Sequence, residues 1–433
     1  MPYPRLSLSA KLSRILTATF MLAGVTLGLA ADSHAQTETT IYNFGATAPD
    51  IPYSGVVSDA AGNLYGVAPF GGSGNHGVVY ELSLVSGTWQ ATVLYNFTGG
   101  ADGATPYATP IFDTAGNLYG TASGGGAHSF GVVFKLSRSG GGWQESVLYS
   151  FTGGNDGMAP TLGNLVIDKA GNLYGSNVAG ANLTSEACQN TSGCGVIFEL
   201  SPVTKGQYKF KLVHTFSGGW DGVGPAFLTF DSKGTLYGSA AGAWGGWEAP
   251  NAPGLIFKLT PTTSGPWKDS ATYAFTGSTD GGAPSAIVFD KAGNMYGTGS
   301  YGGIINNCWS GYGPIGCGVV FRLTPEANGK WKETAIYAFT GGSDGSEPDA
   351  GLVIDKGILY GTTWGGGISN GGVVFQLSPN SGGTWTETVT HSFVGSDGYI
   401  PRSTLIVDHA GNLFGTTYSG GTSGYGVAFE ITP

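Results

Sequence analysis

The stretch Asp168-Lys-Ala-Gly-Asn-Leu-Tyr-Gly175, followed after a loop by Gly195-Val-Ile-Phe-Glu-Leu-Ser201, decides the fold. Asp168, Gly171 and Asn172 form a tight turn, because Asp and Asn bond their own backbone and Gly takes positive φ at little cost. Leu173 and Tyr174 then open a strand. Val196, Phe198 and Leu200 alternate at period two, the pattern of a strand with one packed face.

The same text occurs seven times. Its first part recurs at 62–66, 116–120, 171–175, 234–238, 293–297, 357–361 and 411–415, a period of 54 to 64 residues. Its second part recurs at 77–83, 131–137, 254–260, 318–324, 372–378 and 426–432. A repeat of this length decides the architecture before any single residue does. Each unit resolves into four short strands; in the second they cover 108–113, 118–122, 131–136 and 143–151. Four-stranded antiparallel sheets repeated in this way are blades of a β-propeller. One blade cannot bury both its faces, so packing between blades must hold the molecule together.

The last unit has three strands, and the missing fourth stands at the front of the chain. Gln36-Thr-Glu-Thr-Thr-Ile-Tyr-Asn-Phe44 matches Trp385-Thr-Glu-Thr-Val-Thr-His-Ser-Phe393. The expected fold is therefore all-β. It is a single domain over 36–433, a seven-bladed propeller whose last blade is closed by the N-terminal strand, which removes the open edge.

Residues 1–35 read as an export signal. Arg5, Lys11 and Arg14 make a basic region, 15–30 is mostly apolar, and Ser33-His34-Ala35 is a small-x-small cleavage site. A secreted, periplasmic or extracellular chain beginning at Gln36 is expected. No later stretch is long and apolar enough to span a bilayer. The chain stops at Pro433 just past a strand, so neither a C-terminal anchor nor membrane insertion is expected. The formal net charge is −10, which argues against nucleic acid and anionic membrane as partners. A monomer is expected. Cys188 with Cys194 and Cys308 with Cys317 form two local pairs in long loops, and disulfides are the reading for an exported chain. No His stands beside either pair, which argues against metal.

The motifs Asn-Leu-Tyr-Gly-Thr, Gly-Gly-Gly, Gly-Val-Val-Phe-x-Leu-Ser and Tyr-x-Phe-Thr-Gly-Gly-x-Asp-Gly resemble the GloVer tandem repeat of exported bacterial proteins. The resemblance covers essentially all of 36–433. It implies an extracellular or surface protein, and it brings no established chemistry and no catalytic residues.

Antiparallel strands sort the loops. Connections from second to third strand, and from fourth strand to the next blade, emerge on one face, here called upper. The irregular segments 177–193, 242–253 and 300–316 all belong to it. Trp89, Trp143, Trp267, Trp331 and Trp385 start fourth strands and are packing residues. Trp220, Trp244, Trp247, Trp309 and Trp364 fall in upper segments, with Tyr301, Tyr312 and Tyr418. Exposed rigid aromatics are costly unless they contact something. They either cap the central channel or form a surface for neutral sugar rings or a surface partner.

The loop Phe97-Thr-Gly-Gly-Ala-Asp102-Gly103 recurs with Asp156, Asp221, Asp280, Asp344 and Asp397. An Asp-Gly turn is the expected role. Calcium wants six or more oxygens at one point, and single carboxylates spread round a ring do not supply them, so no cofactor and no metal is expected. No nucleophile elbow, zinc-protease motif or phosphate loop is present. One catalytic constellation is conceivable: His76, His128 and Arg402, brought together by ring closure near Tyr53 and Tyr107. It would suit a polysaccharide lyase or hydrolase. His214 and His391 replace a repeat Tyr and are expected to be structural. Three functions therefore stand beside one another: a binding module, a polysaccharide-cleaving enzyme and a structural surface protein.

Overall fold

The computed structural model describes residues 36–432, apart from 47–48, 162, 185, 190–191, 242–252, 263–264, 306–307 and 311–312. The expected leader at 1–35 lies outside the described residues. Thr37–Thr432 forms one compact unit. It holds seven antiparallel blade sheets, six of them with their strands in sequence order from inner to outer, and a two-stranded ribbon. In blade 1 the strands are Val57–Ser58, Leu64–Ala68, Val78–Val85 and Thr88–Asn96. Blade 7 consists of Ile406–Val407, Leu413–Thr416, Val427–Thr432 and, as its outer strand, Thr37–Asn43. Thr37 pairs with Thr432 and Asn43 with Val427, so the N-terminal strand closes the last blade. Blade 5 departs from the pattern, gaining the strand Gly282–Pro284.

The repeated turn is built by its Asp. Asp59 Oδ1 accepts from the N–H groups of Ala61 and Asn63, and its Oδ2 accepts from Asn63 Nδ2 and the Tyr65 hydroxyl. The pattern returns at Asp113, Asp168 and Asp290. One carboxylate thus satisfies several donors of a two-strand connection.

The aromatic motif residues act between blades. The Phe that ends each fourth strand meets the aromatic of the next blade's third strand, at all seven seams. Phe97–Phe134, Phe151–Phe198, Phe216–Phe257, Phe275–Phe321, Phe339–Phe375 and Phe393–Phe429 have centroids 4.9 to 5.2 Å apart. Phe44–Tyr80 is the seventh, at 5.4 Å. The glycine of Leu-Tyr-Gly is there because this ring lies on it: a Cβ on Gly120 would stand 2.5 Å from Phe134. Trp143, Trp267, Trp331 and Trp385 rest on Tyr65, Tyr174, Tyr237 and Tyr296 of the preceding blade. Trp89 rests on Phe414 in the same way across the closing joint.

Hydroxyls latch the inner strands. Thr121, Thr298, Thr362 and Thr416 donate to the carbonyls of Pro160, Ala350, Ser403 and Ser54, each on the following blade. Ser176 and Ser239 hold the same position in blades 3 and 4, lack the methyl that fixes the threonine rotamer, and find no hydroxyl partner among the described residues. Both disulfides form, Cys188–Cys194 and Cys308–Cys317, with Cα–Cα distances of 4.9 and 5.1 Å. No helix among the described residues is long and apolar enough to cross a membrane.

Candidate functional site

Between fourth strand and next blade the chain must turn inward to the channel. It does so through a residue at positive φ followed by proline: Ile51, Thr105, Ala159, Gly224, Ala283, Glu347 and Ile400 lie at 47° to 61°. Positive φ is uncommon for non-glycine residues, yet it occurs at six such positions here. The turn is fixed by a backbone bond to the preceding blade, as Thr105 N to His76 O and Glu347 N to Cys317 O. Repetition at every seam marks this as architecture and not as strain confined to one reactive point.

The residue after each proline enters the channel wall. In order these are Tyr53, Tyr107, Thr161, Ala226, Ser285, Asp349 and Arg402. All but Ala226 line a cavity of about 600 Å³ over the channel, where blade 4 offers Phe227 instead. Ser300 and Tyr301, at the end of the strand Met295–Tyr301, and Ile315 and Trp364 from upper loops also line it.

The wall has one charged corner. Arg402 Nη2 donates to Asp349 Oδ2 at 2.7 Å, and its Nη1 donates to the Tyr53 hydroxyl at 3.3 Å. The guanidinium also lies 5.2 Å from the Tyr53 ring centre. Burial works against the Arg402 charge, but Asp349 and Tyr53 outweigh it and hold the group more firmly protonated than usual. Tyr53 in turn meets Tyr107 and Tyr418 edge-on, at 5.1 and 5.9 Å. Burial and these neighbours push the Tyr107 hydroxyl up, so it stays neutral. With Glu347 also on the wall, the cavity carries one cation against two carboxylates.

The expected site residues separate. Arg402, Tyr301 and Trp364 are on the wall, and Tyr418 reaches it through Tyr53. Tyr301 is buried against Gly282, whereas Trp364 is 37% exposed. Trp220 is 60% exposed and stands apart from the cavity. Trp244, Trp247 and Tyr312 lie outside the described residues, and of Trp309 only the backbone is described, in a two-residue strand paired with Gly313–Pro314. The cavity does not gather His76 and His128 with Arg402. The His76 ring lies over Gly99, as the Phe130 ring lies over Gly153 and the Cys308–Cys317 sulfurs over Gly341. His76 thus occupies a position that blades 2 and 5 fill with packing groups, and His128 is exposed on its loop. The expected Asp-Gly turns are present: Asp102 accepts from Tyr95, and from both the N–H and the hydroxyl of Thr98.

Asp349, Glu347 and Phe227 did not stand out in single repeats. Their signal lies in aligning the repeats at the proline, where the next residue changes character from blade to blade while its surroundings stay fixed.

The sequence profile of the Gloeobacter/Verrucomicrobia repeat matches residues 26–246 and 308–433. No curated protein matches the chain. Among solved structures, the extracellular domain of a hybrid two-component system from B. thetaiotaomicron aligns with 92% of this chain and 42% of its own, at 13% identity and a TM-score of 0.54. The PQQ-bound aldose sugar dehydrogenase of Streptomyces coelicolor aligns over 92% and 98% at 11% identity, TM-score 0.44. The PQQ domain of pyranose dehydrogenase from Coprinopsis cinerea aligns over 93% and 96% at 13% identity, TM-score 0.43. At these identities the likeness concerns the propeller fold alone.

Proposed function

Since the chain belongs to the Gloeobacter/Verrucomicrobia repeat family and folds as a seven-bladed propeller, we propose that it is an exported binding module for neutral sugar. The ligand is a neutral monosaccharide or the end of a neutral glycan, and it sits in the central cavity.

The observation that carries this reading is the make-up of the cavity wall. Its volume of about 600 Å³ suits a few sugar rings. Tyr53, Tyr107, Phe227 and Trp364 supply apolar faces, and Ser, Thr and Asn side chains between them supply hydroxyl and amide partners. The one cation is already committed to Asp349, and Glu347 adds a further negative charge. A uronate carboxylate would meet net repulsion. Export is supported by the two disulfides, which persist in oxidising compartments, and by the leader-like residues 1–35. The cavity also favours a small ligand over a broad surface partner.

Retention of the purified chain on a panel of immobilised neutral and uronic polysaccharides tests the proposal. Selective retention on a neutral polymer, without release of product, is expected. Retention on uronic polymers alone, or on none, would overturn it.

A further inference from the structure

Six of the seven seams carry a second set of polar groups, on the outer strands. The fourth strand of one blade presents Tyr95, Tyr149, Tyr273 or Tyr337, whose hydroxyl donates to Asp102, Asp156, Asp280 or Asp344 in the following loop. At two seams the Tyr is replaced by histidine: His214 beside Asp221 and His391 beside Asp397. An acid on the next blade's outer strand faces several of these pairs. At the seam of blades 6 and 7 it is Glu38, on the N-terminal strand that closes the ring.

We propose that Glu38, His391 and Asp397 form a site for a divalent transition-metal ion of the zinc type, which clips the ring shut where the chain's first strand joins its last blade. One ring nitrogen of His391 and one oxygen from each carboxylate all lie within 4.8 Å of one another, the only such trio of His, Cys or acidic side chains among the described residues. The His391 Nε2 to Asp397 Oδ2 distance is 2.9 Å. The carboxylates are held from behind: Asp397 Oδ1 accepts from Val394 N, and Glu38 accepts from the Thr40 hydroxyl. His391 and Asp397 keep 19% and 18% of their side-chain surface in water, so solvent can complete the coordination shell. The imidazole ligates as its Nδ1–H tautomer, with Nε2 turning from a partner of Asp397 into a ligand. An imidazole nitrogen with two carboxylate oxygens suits zinc over calcium or magnesium, which prefer all-oxygen shells.

The seam of blades 3 and 4 is an internal control. It has the same residue types in the same places, but its facing acid is Asp269, one methylene shorter. Asp269 Oδ2 stands 4.0 Å from His214 Nε2, and the three groups do not converge as the closing seam's do.

The test is calorimetric titration of zinc chloride into the mature chain prepared without a histidine tag, with melting followed in parallel. One equivalent is expected to bind and to raise the melting midpoint. Glu38→Gln and His391→Tyr should each weaken binding at least about tenfold, and Asp269→Asn should leave it unchanged. His391→Tyr installs the residue found at five other seams (Tyr42, Tyr95, Tyr149, Tyr273 and Tyr337), so the variant should fold, and its circular dichroism should match the parent. Absence of saturable uptake at millimolar zinc would overturn the proposal. So would undiminished uptake by both variants, or calcium binding equal to that of zinc.

Discussion

Phe44, which ends the strand that completes blade 7, and Tyr80 of the adjacent blade 1 meet edge to face with ring centroids 5.4 Å apart, 36 positions apart in the chain. The contact is the seventh copy of the Phe–Phe pair found at every other seam. The outer-strand bulge is copied too: it falls between Val79 and Tyr80, between Val133 and Phe134, and in blade 7 between Thr40 and Tyr42. The closing joint is therefore packed like the six seams formed within continuous chain. Phe44→Ala should cost about 3–5 kcal/mol, the range for emptying a buried aromatic site. Trp220→Ala, on an exposed loop, should change urea unfolding by less than about 0.5 kcal/mol. Equal midpoints for the two variants would show that the joint does not bear on stability.

The glycine under each ring gives a second prediction. A Cβ on Gly120 would stand 2.5 Å from the Phe134 ring, whereas one on Gly142 would meet nothing within 4 Å. Gly120→Ala should therefore destabilise by about 1–3 kcal/mol through overpacking, and Gly142→Ala should be tolerated. Denaturant melts of the two proteins decide the matter.

Two sets of carboxylates predict how stability follows pH in chelator-containing buffer. Burial, then the facing Asp102, Asp280 and Asp344, pushes Glu145, Glu333 and Glu387 up to about 7. A raised folded-state value means the folded protein binds these protons more tightly, so stability is gained as pH falls from above 7 toward 4.5. Burial also works against Asp59, Asp113 and Asp290, but hydrogen bonds from the turn Asn, Tyr and backbone groups hold each below its usual range. Their contribution is present above the ordinary Asp value and is lost as pH falls through the depressed folded value. Urea midpoints should rise from pH 8 to about 5 and fall again below about 4. Replacing the three glutamates by glutamine should flatten the first limb and leave the second. A monotonic profile in the parent would contradict both assignments.

The disulfides should separate stability from binding. Each closes a short loop, worth up to about 2–3 kcal/mol. Both hold an entry turn, since Cys194 O accepts from Gly224 N as Cys317 O accepts from Glu347 N, but Cys308–Cys317 also encloses a wall residue, Ile315. The Cys308→Ser/Cys317→Ser variant should lose sugar retention more than Cys188→Ser/Cys194→Ser at similar loss of stability. Affinity chromatography of both, beside their melts, checks this.

The ring and its closure were legible because they depend on spacing: the split seventh unit shows in Gln36–Phe44 matching Trp385–Phe393. The disulfides were legible for the same reason, as local pairs at equivalent places. The site was legible only in part. Arg402 and Trp364 drew notice as residues that break the repeat, but breaking the repeat does not say where a side chain points. His76 breaks it too, and its ring covers Gly99 in place of a phenylalanine. Asp349 escaped notice because a lone Asp after Pro348 resembles any polar loop residue. Its role comes from sitting one blade away from Arg402, a relation of the closed ring that no single repeat contains.

Equilibrium titration of the retained neutral oligosaccharide into the parent chain, Trp364→Ala and Trp220→Ala tests the cavity most directly. Saturable binding that falls at least about tenfold in Trp364→Ala and is unchanged in Trp220→Ala is the predicted result. Binding undiminished in Trp364→Ala but lost in Trp220→Ala would place the ligand on the outer loops and contradict the account.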